Sequence, residues 1–267
     1  MMSIDGTTTH VDIVRKRLTG EITSPASKKL KEWKALLTGR GIKKYRKTIV
    51  SGAKIVSDII NSKPEIINEC IIPSSDPVVP KNLPGDIPVY SARAALFREL
   101  DMFGTQYPLL VAAVPELLPF DNHVFDDAVT LLIPFQDPAN IGAVVRSAAA
   151  FGVRNIVFLE EAATPYHPKS VRASGSYVFS VNFYKGGSLY DLTELPVPVV
   201  ALSAEGTNIA EFVFPERFAL LVGIEGQGIP DSLCPEYTVA IPIAAGVESL
   251  NAVVAASIAL YEWKKRR

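Results

Sequence analysis

The chain has 267 residues, 48% hydrophobic and 21% charged, with a formal net charge of −1 at neutral pH. That length and apolar content can bury a sizeable core and fill two modest domains, so a soluble globular protein is expected. The charge balance excludes a uniformly cationic nucleic-acid binder, and the longest apolar stretches, at 218–224 and 252–260, are too short to span a bilayer. No apolar segment follows a basic start at the N-terminus, which makes a cytosolic location the default expectation. Cys70 and Cys234 lack paired-Cys or Cys/His spacing, and His10, His123 and His167 are scattered, so neither a disulfide framework nor a metal site is indicated.

In chain order, residues 1–21 are polar without a sustained period and read as a flexible arm. Ser24-Pro25 predicts a helix start, with the hydroxyl as N-cap and the proline in the first turn. Between residues 28 and 47 stand Lys28, Lys29, Lys31, Lys34, Arg40, Lys43, Lys44, Arg46 and Lys47, interleaved with Trp33 and Tyr45, and Glu32 is the only acid. Such a segment can neutralise phosphates and offer a ring to an unstacked base. It also fits a solvated amphipathic helix with Leu30, Trp33, Leu36 and Leu37 as its buried stripe, and composition alone favours that second reading. Strand-like and helix-like stretches then alternate up to residue 114, around a Pro- and Asp-rich loop at 73–88, which gives a small α/β domain over 22–114. The prolines and acids of 115–127 mark an interdomain linker. From 128 to 267 short runs, apolar on both faces, predict parallel strands at 129–133, 155–158, 197–202, 219–222 and 239–243. Helices are expected over 140–151, 168–177 and from 250 to the basic end, whose cations suit the negative pole of the helix dipole.

Three short segments stand at strand ends in this second half: Asp137-Pro-Ala-Asn140-Ile-Gly142-Ala-Val-Val-Arg146, Gly223-Ile-Glu225-Gly226-Gln-Gly228, and Ser249-Leu250-Asn251. Asp137-Pro138 closes a turn, Asn140 opens a helix, and Gly142 allows close backbone approach. The helix N-terminus forms an anion site, toward which Arg146 can reach. Its apolar neighbours suggest a desolvated cation in need of a partner. In the second segment the glycines leave room for a ligand against the backbone, while Ile241-Pro242-Ile243 and Leu250 supply apolar contact for an adenine ring. No Gly-x-Gly-x-x-Gly fingerprint follows the first strand of either half, which argues against a dinucleotide site.

In order and spacing these segments resemble the three signature motifs of the SpoU (TrmH-type) RNA ribose methyltransferases of the SPOUT class. The resemblance covers roughly residues 128–265 and, more weakly, the stretch from Ile22 to Lys54. It implies a C-terminal parallel-sheet SPOUT domain tied in a trefoil knot, preceded by a small L30e-like α/β domain that binds substrate. It further implies S-adenosylmethionine as cofactor, held by Gly223, Ile241 and Leu250, with Leu202 and Ile243 beside them. Arg146 becomes the catalytic residue, oriented by Asn140 and Glu225, with Ser249 and Asn251 fixing those side chains or the ribose. A guanidinium stays protonated in proteins, so its role is to hold a phosphate and stabilise the emerging 2′-alkoxide rather than to accept a proton. Given that partner domain, RNA contact becomes the better reading of Lys28, Lys31, Lys34, Arg40, Lys43, Lys44 and Arg46. The segment Val171-Arg172-Ala-Ser-Gly-Ser176 resembles a further basic motif with a shortened spacing, adding Arg172 to the RNA contacts, whereas Ser51-Gly52 stands where the family commonly has Glu-Gly. The expectation is therefore a homodimeric RNA 2′-O-methyltransferase, with ribosomal RNA favoured over transfer RNA and a catalytically silent RNA-binding factor as the alternative.

Overall fold

The computed structural model describes residues 10–192, 195–223, 229–230 and 233–267. They fall into two compact units, one within 10–115 with 166–168 and one of the described residues of 116–165 and 169–267. No helix among the described residues is long and apolar enough to cross a membrane.

In the first unit, the stretch expected as an arm carries α1 (His10–Arg17) and β1 (Leu18–Ile22). Arg17 anchors it by donating to the carbonyls of Pro84 (2.7 Å) and Gly85. The next helix, α2 (Lys28–Ala35), begins later than Ser24-Pro25 suggests. The Ser24 hydroxyl and carbonyl close a separate turn first, accepting from the Ala26 and Ser27 N–H groups at 3.2 Å each. Leu30, Trp33 and Leu36 form the expected buried stripe. The basic segment then breaks into α3 (Gly39–Tyr45), whose Thr38 cap accepts from the Gly41 N–H at 3.2 Å. At Gly41 a Cβ would overlap the Ala35 carbonyl, so the tight α2–α3 corner requires glycine. Next come β2 (Lys47–Val50), α4 (Ala53–Ser62), β3 (Ile67–Pro73), β4 (Val89–Ala92), α5 (Ala94–Leu100) and β5 (Leu109–Ala113). The sheet runs β1-β4-β3-β5-β2, parallel across its first three strands and antiparallel where β5 meets β3 and β2. Its core joins Leu30, Trp33 and Leu36 to Ile49, Ile71, Phe97 and Val111.

The second unit starts inside the stretch expected as a linker. There β6 (Leu118–Pro119) and a one-turn helix at Asn122–Phe125 belong to the fold. Val124 and Phe125 are buried, and the Val124 carbonyl accepts from Thr130 Oγ1 (2.7 Å) and Asn155 Nδ2 (3.0 Å). The remaining elements are β7 (Val129–Ile133), α6 (Pro138–Phe151), β8 (Asn155–Phe158), α7 (Pro168–Ser174), β9 (Asn182–Lys185), β10 (Val199–Asn208), β11 (Phe218–Val222), β12 (Tyr237–Ala240) and α8 (Ala252–Lys265). All strands pair in parallel, in the order β12-β10-β11-β7-β8-β9-β6. The central β7, β8 and β11 are buried throughout, as the apolar runs predicted, whereas β6 and β9 lie at one edge with exposed residues and so lack that signal.

Candidate active site

The site grows from the C-terminal ends of parallel strands, where ligands collect in open α/β sheets. A cavity of about 640 Å³ opens there, within the range of about 300–1,000 Å³ typical of small-molecule sites. Leu202 comes from β10, Gly223 follows β11, and Ile241 and Ile243 follow β12. Ser249, Leu250 and Asn251 lead into α8, and Asn140 comes from α6. Eight of the residues expected from sequence thus line one space. Leu202, Val222, Val239, Ile241 and Leu250 make an apolar slot suited to an aromatic base, while Asn140, Ser203, Glu248 and Ser249 supply polar groups. That donor and slot composition fits S-adenosylmethionine.

Ser203 and Ala204 escaped the sequence reading. They sit on an excursion in β10, where both Leu202 and Thr207 stand opposite Val239 and residues 203–206 stand out from the ladder. At Gly206 a Cβ would lie 2.5 Å from the Thr238 carbonyl oxygen, so glycine lets the chain rejoin β12. That lone glycine, four residues past an apolar strand, was the available signal.

Asn251 has a local task. Its Oδ1 caps α8 by accepting from the N–H groups of Val253 (2.9 Å) and Val254 (3.3 Å). Asp137 caps α6 likewise through the Ala139 N–H at 2.9 Å, with Pro138 in the first turn. The two helices touch through a Ser257–Ser147 hydroxyl hydrogen bond of 2.8 Å.

Arg146 departs from expectation. It is exposed, because Val144, Val145 and Ala148 take the buried face of α6, and it makes no hydrogen bond or ion pair with a described residue. It does not line the cavity. Helix geometry explains why. At about 100° per residue, Asn140 and Gly142 point roughly 160° apart, whereas Arg146 stands one turn beyond Gly142 on nearly the same face. That face is turned to α7, since a Cβ at Gly142 would overlap the Ser170 carbonyl and lie 2.8 Å from the Ala173 Cβ. Within the chain, Arg146 and Asn140 therefore point to different sides of α6. Glu225, with Gly226 and Gly228, lies outside the described residues.

The expected RNA contacts divide. Lys28, Lys31, Arg40, Lys43, Lys44 and Arg46 are exposed on α2, α3 and its end, and Arg172 is exposed on α7. Lys34 is also exposed and is paired with Glu99 at 2.5 Å, and Arg46 and Arg172 likewise have partners. Lys29 and Lys47 turn to Glu69, a carboxylate only 5% exposed. Glu69 accepts from Lys29 Nζ (2.7 Å) and Trp33 Nε1 (2.9 Å), and Lys47 also meets Glu32 at 3.0 Å. Burial would lower the Lys29 pKa, but the hydrogen bond and charge of Glu69 outweigh it and raise the value.

The fold and this cavity define a two-part α/β protein with its ligand site at the ends of parallel strands. Residues 127–261 match the family model described as the SpoU rRNA Methylase family, and the chain belongs to that family. It is 28% identical over 254 residues to the 23S rRNA (guanosine(2553)-2'-O)-methyltransferase RlmP of Bacillus subtilis, covering 90% of this chain and 98% of that protein. It is 45% identical over 231 residues to the Ribosomal RNA small subunit methyltransferase G 2 of Syntrophobacter fumaroxidans. That match covers 86% of this chain but only 46% of the relative, so the chain spans about half of that protein and its name need not describe the shared half. Among solved structures, the SpoU methyltransferase AviRb from Streptomyces viridochromogenes, in complex with AdoMet, superposes with a TM-score of 0.74 at 25% identity, over 90% of this chain and 98% of that one.

Proposed function

We propose that this protein is an S-adenosylmethionine-dependent 2′-O-ribose methyltransferase acting on ribosomal RNA. The observation that carries the reading is the convergence of Asn140, Gly223 and Ser249–Asn251, one group from each of three distant segments, on a single cavity. The likeness to RlmP and AviRb, named for 23S rRNA and bound to AdoMet respectively, supports substrate and cofactor. Leu202, Gly223, Ile241, Ile243 and Leu250 would hold the cofactor, which supplies the methyl group when bound. Asn140, Ser249 and Asn251 would position the ribose, with Glu225 orienting the motif-one side chains. Arg146 would hold the adjacent phosphate and stabilise the 2′-oxygen as its proton leaves.

Arg146 faces away from its own cavity, so this role calls for a second copy of the chain. Val254 and Tyr261 of α8 are 46% and 52% exposed beside α6, an apolar face consistent with a two-fold homodimer that carries Arg146 to the partner's site. The exposed cations of α2 and α3 would bind RNA in the first unit. A trefoil knot belongs to the same reading, supported by the return of the chain after β12 to the cavity beside β10 and β11.

The test is calorimetry with S-adenosylmethionine alongside methyl transfer to ribosomal RNA. Gly223→Val should fill the cofactor space, abolishing detectable binding and transfer in a folded protein. Unchanged affinity would refute the site assignment.

A further inference from the structure

We propose that the edge formed by α7 and the one-turn helix Tyr177–Phe179 is a subsite for single-stranded RNA. Tyr177 stacks a base flanking the target nucleotide, and Lys169 and Arg172 meet its phosphates. The inference rests on the RNA-methyltransferase reading and adds to it a substrate class, a target in an unpaired segment.

The first observation is the state of the Tyr177 ring. Five aromatic side chains among the described residues are prominently exposed. Phe120 packs on Phe125, Tyr237 on Phe212 and Tyr261 on Phe151, and Tyr190 has a partner of its own. The Tyr177 side chain, on a residue 47% exposed, has no ring contact or hydrogen bond with a described residue. A ring left open in this way can offer its face to an unstacked base.

The second observation is that this ring stands on a rigid base. Its neighbour Val178 is wholly buried, the one-turn helix packs on α6, and Gly175 turns the chain at φ +70° just before it. The Ser170 hydroxyl fastens α7 to the first turn of α6 by donating to the Pro138 carbonyl at 2.7 Å. Two residues on, that turn presents Asn140 to the cavity. That cavity lies across α6 from α7, so Tyr177 is fixed, like Arg146, on the face turned from its own cavity and toward the site of a second copy.

The third is charge. Lys169 and Arg172 are exposed three residues apart on α7, on the side of α6 that also presents Arg146. Cations on the helix that leads into an open ring match a strand of phosphates with a splayed base, since every base offers a π-face. A paired helix would keep its bases stacked and leave the ring uncovered.

The experiment uses the full chain and two ribosomal RNA fragments of one sequence, with the candidate nucleotide in a loop or closed into a duplex. Binding and single-turnover methylation are measured for the unaltered protein and for Tyr177→Ala, Tyr177→Leu and Tyr177→Phe. The loop RNA should bind better than the duplex, Ala and Leu should weaken loop binding roughly 5- to 100-fold, and Phe should stay within about twofold. Cofactor affinity and mass in solution should not change. Leu matching Phe, Ala binding the loop like the unaltered protein, or Ala altering the association state would each overturn the subsite. Absence of methyl transfer by the unaltered protein would instead overturn the function proposed above, and the binding series would still judge Tyr177.

Discussion

The cavity at the strand ends and the cationic stretch at 28–47 are each dense in one kind of residue, yet their residues reach their places by different routes. In the cavity, Leu202, Gly223 and Ile241 stand where parallel strands end, so position along the chain fixes position in space. In the cationic stretch, distant acids decide the fate of some side chains. Glu69 takes Lys29 from 40 residues away, and Glu99 takes Lys34 from 65. Backbone order is written locally; the pairing of long charged side chains is not.

Arg146 is the sharpest way to break this comparison, because its backbone position was legible and its surroundings were not. Arg146→Ala should lower single-turnover transfer by about 10²–10³-fold, the scale of a lost transition-state donor, with cofactor affinity intact. Arg146→Lys should fail as well, since an ammonium lacks the planar fork. Transfer restored by mixing Arg146→Ala with Gly223→Val protein would place the arginine across a dimer interface. Near-normal transfer by Arg146→Ala alone would make the motif structural.

Gly142→Ala tests the backbone side. The added methyl meets the Ser170 carbonyl and Ala173, neither of which can swing aside. Overpacking of this kind should cost about 1–3 kcal/mol in urea unfolding and disturb the turn that bears Asn140. A neutral result would show that α7 shifts freely.

Glu69→Ala should cost somewhat less, about 1–2 kcal/mol, by stranding the buried Trp33 Nε1 and the ammonium of Lys29. Glu69→Gln should recover part of it, because an amide oxygen still accepts from the indole. The Lys29 pKa is raised in the folded state, so this contribution is fully present below its ordinary value of 10.5 and fades as pH rises through the folded value. Unfolding titrations above pH 10 should show that loss in the unaltered protein and not in Glu69→Ala.

Much of the fold was legible because β7, β8 and β11 are buried on both faces and leave unbroken apolar runs. The edge pair β6 and β9 went unseen, since half-exposed strands carry no such run, and Thr130 and Asn155 bind the supposed linker through the Val124 carbonyl, which no side-chain pattern reveals. The cavity residues were found by motif and strand end. Ser203 and Ala204 were missed because an excursion depends on register with β12, a property of two strands at once. The exposure of Arg146 follows from a helix phase set by packing against α7, which its apolar neighbours alone did not disclose.

The smallest expected effect returns to the cationic stretch and divides it. Lys28 and Lys31 are exposed on α2 and make no ion pair with a described residue, whereas Lys34 meets Glu99. A lysine that contacts RNA releases counterions, and its loss should flatten the dependence of log affinity on log salt by about 0.7–0.9 per contact. The double variant Lys28→Ala/Lys31→Ala should therefore lower that slope by more than one and weaken RNA binding at low salt, with transfer unchanged once RNA saturates. Lys34→Ala should barely move the slope, because its charge is already answered, and an exposed pair of this kind adds only about 0–1 kcal/mol to stability. Equal slopes for the two variants would mean that Glu99 releases Lys34 when RNA arrives. The stretch would then act as one cationic surface after all.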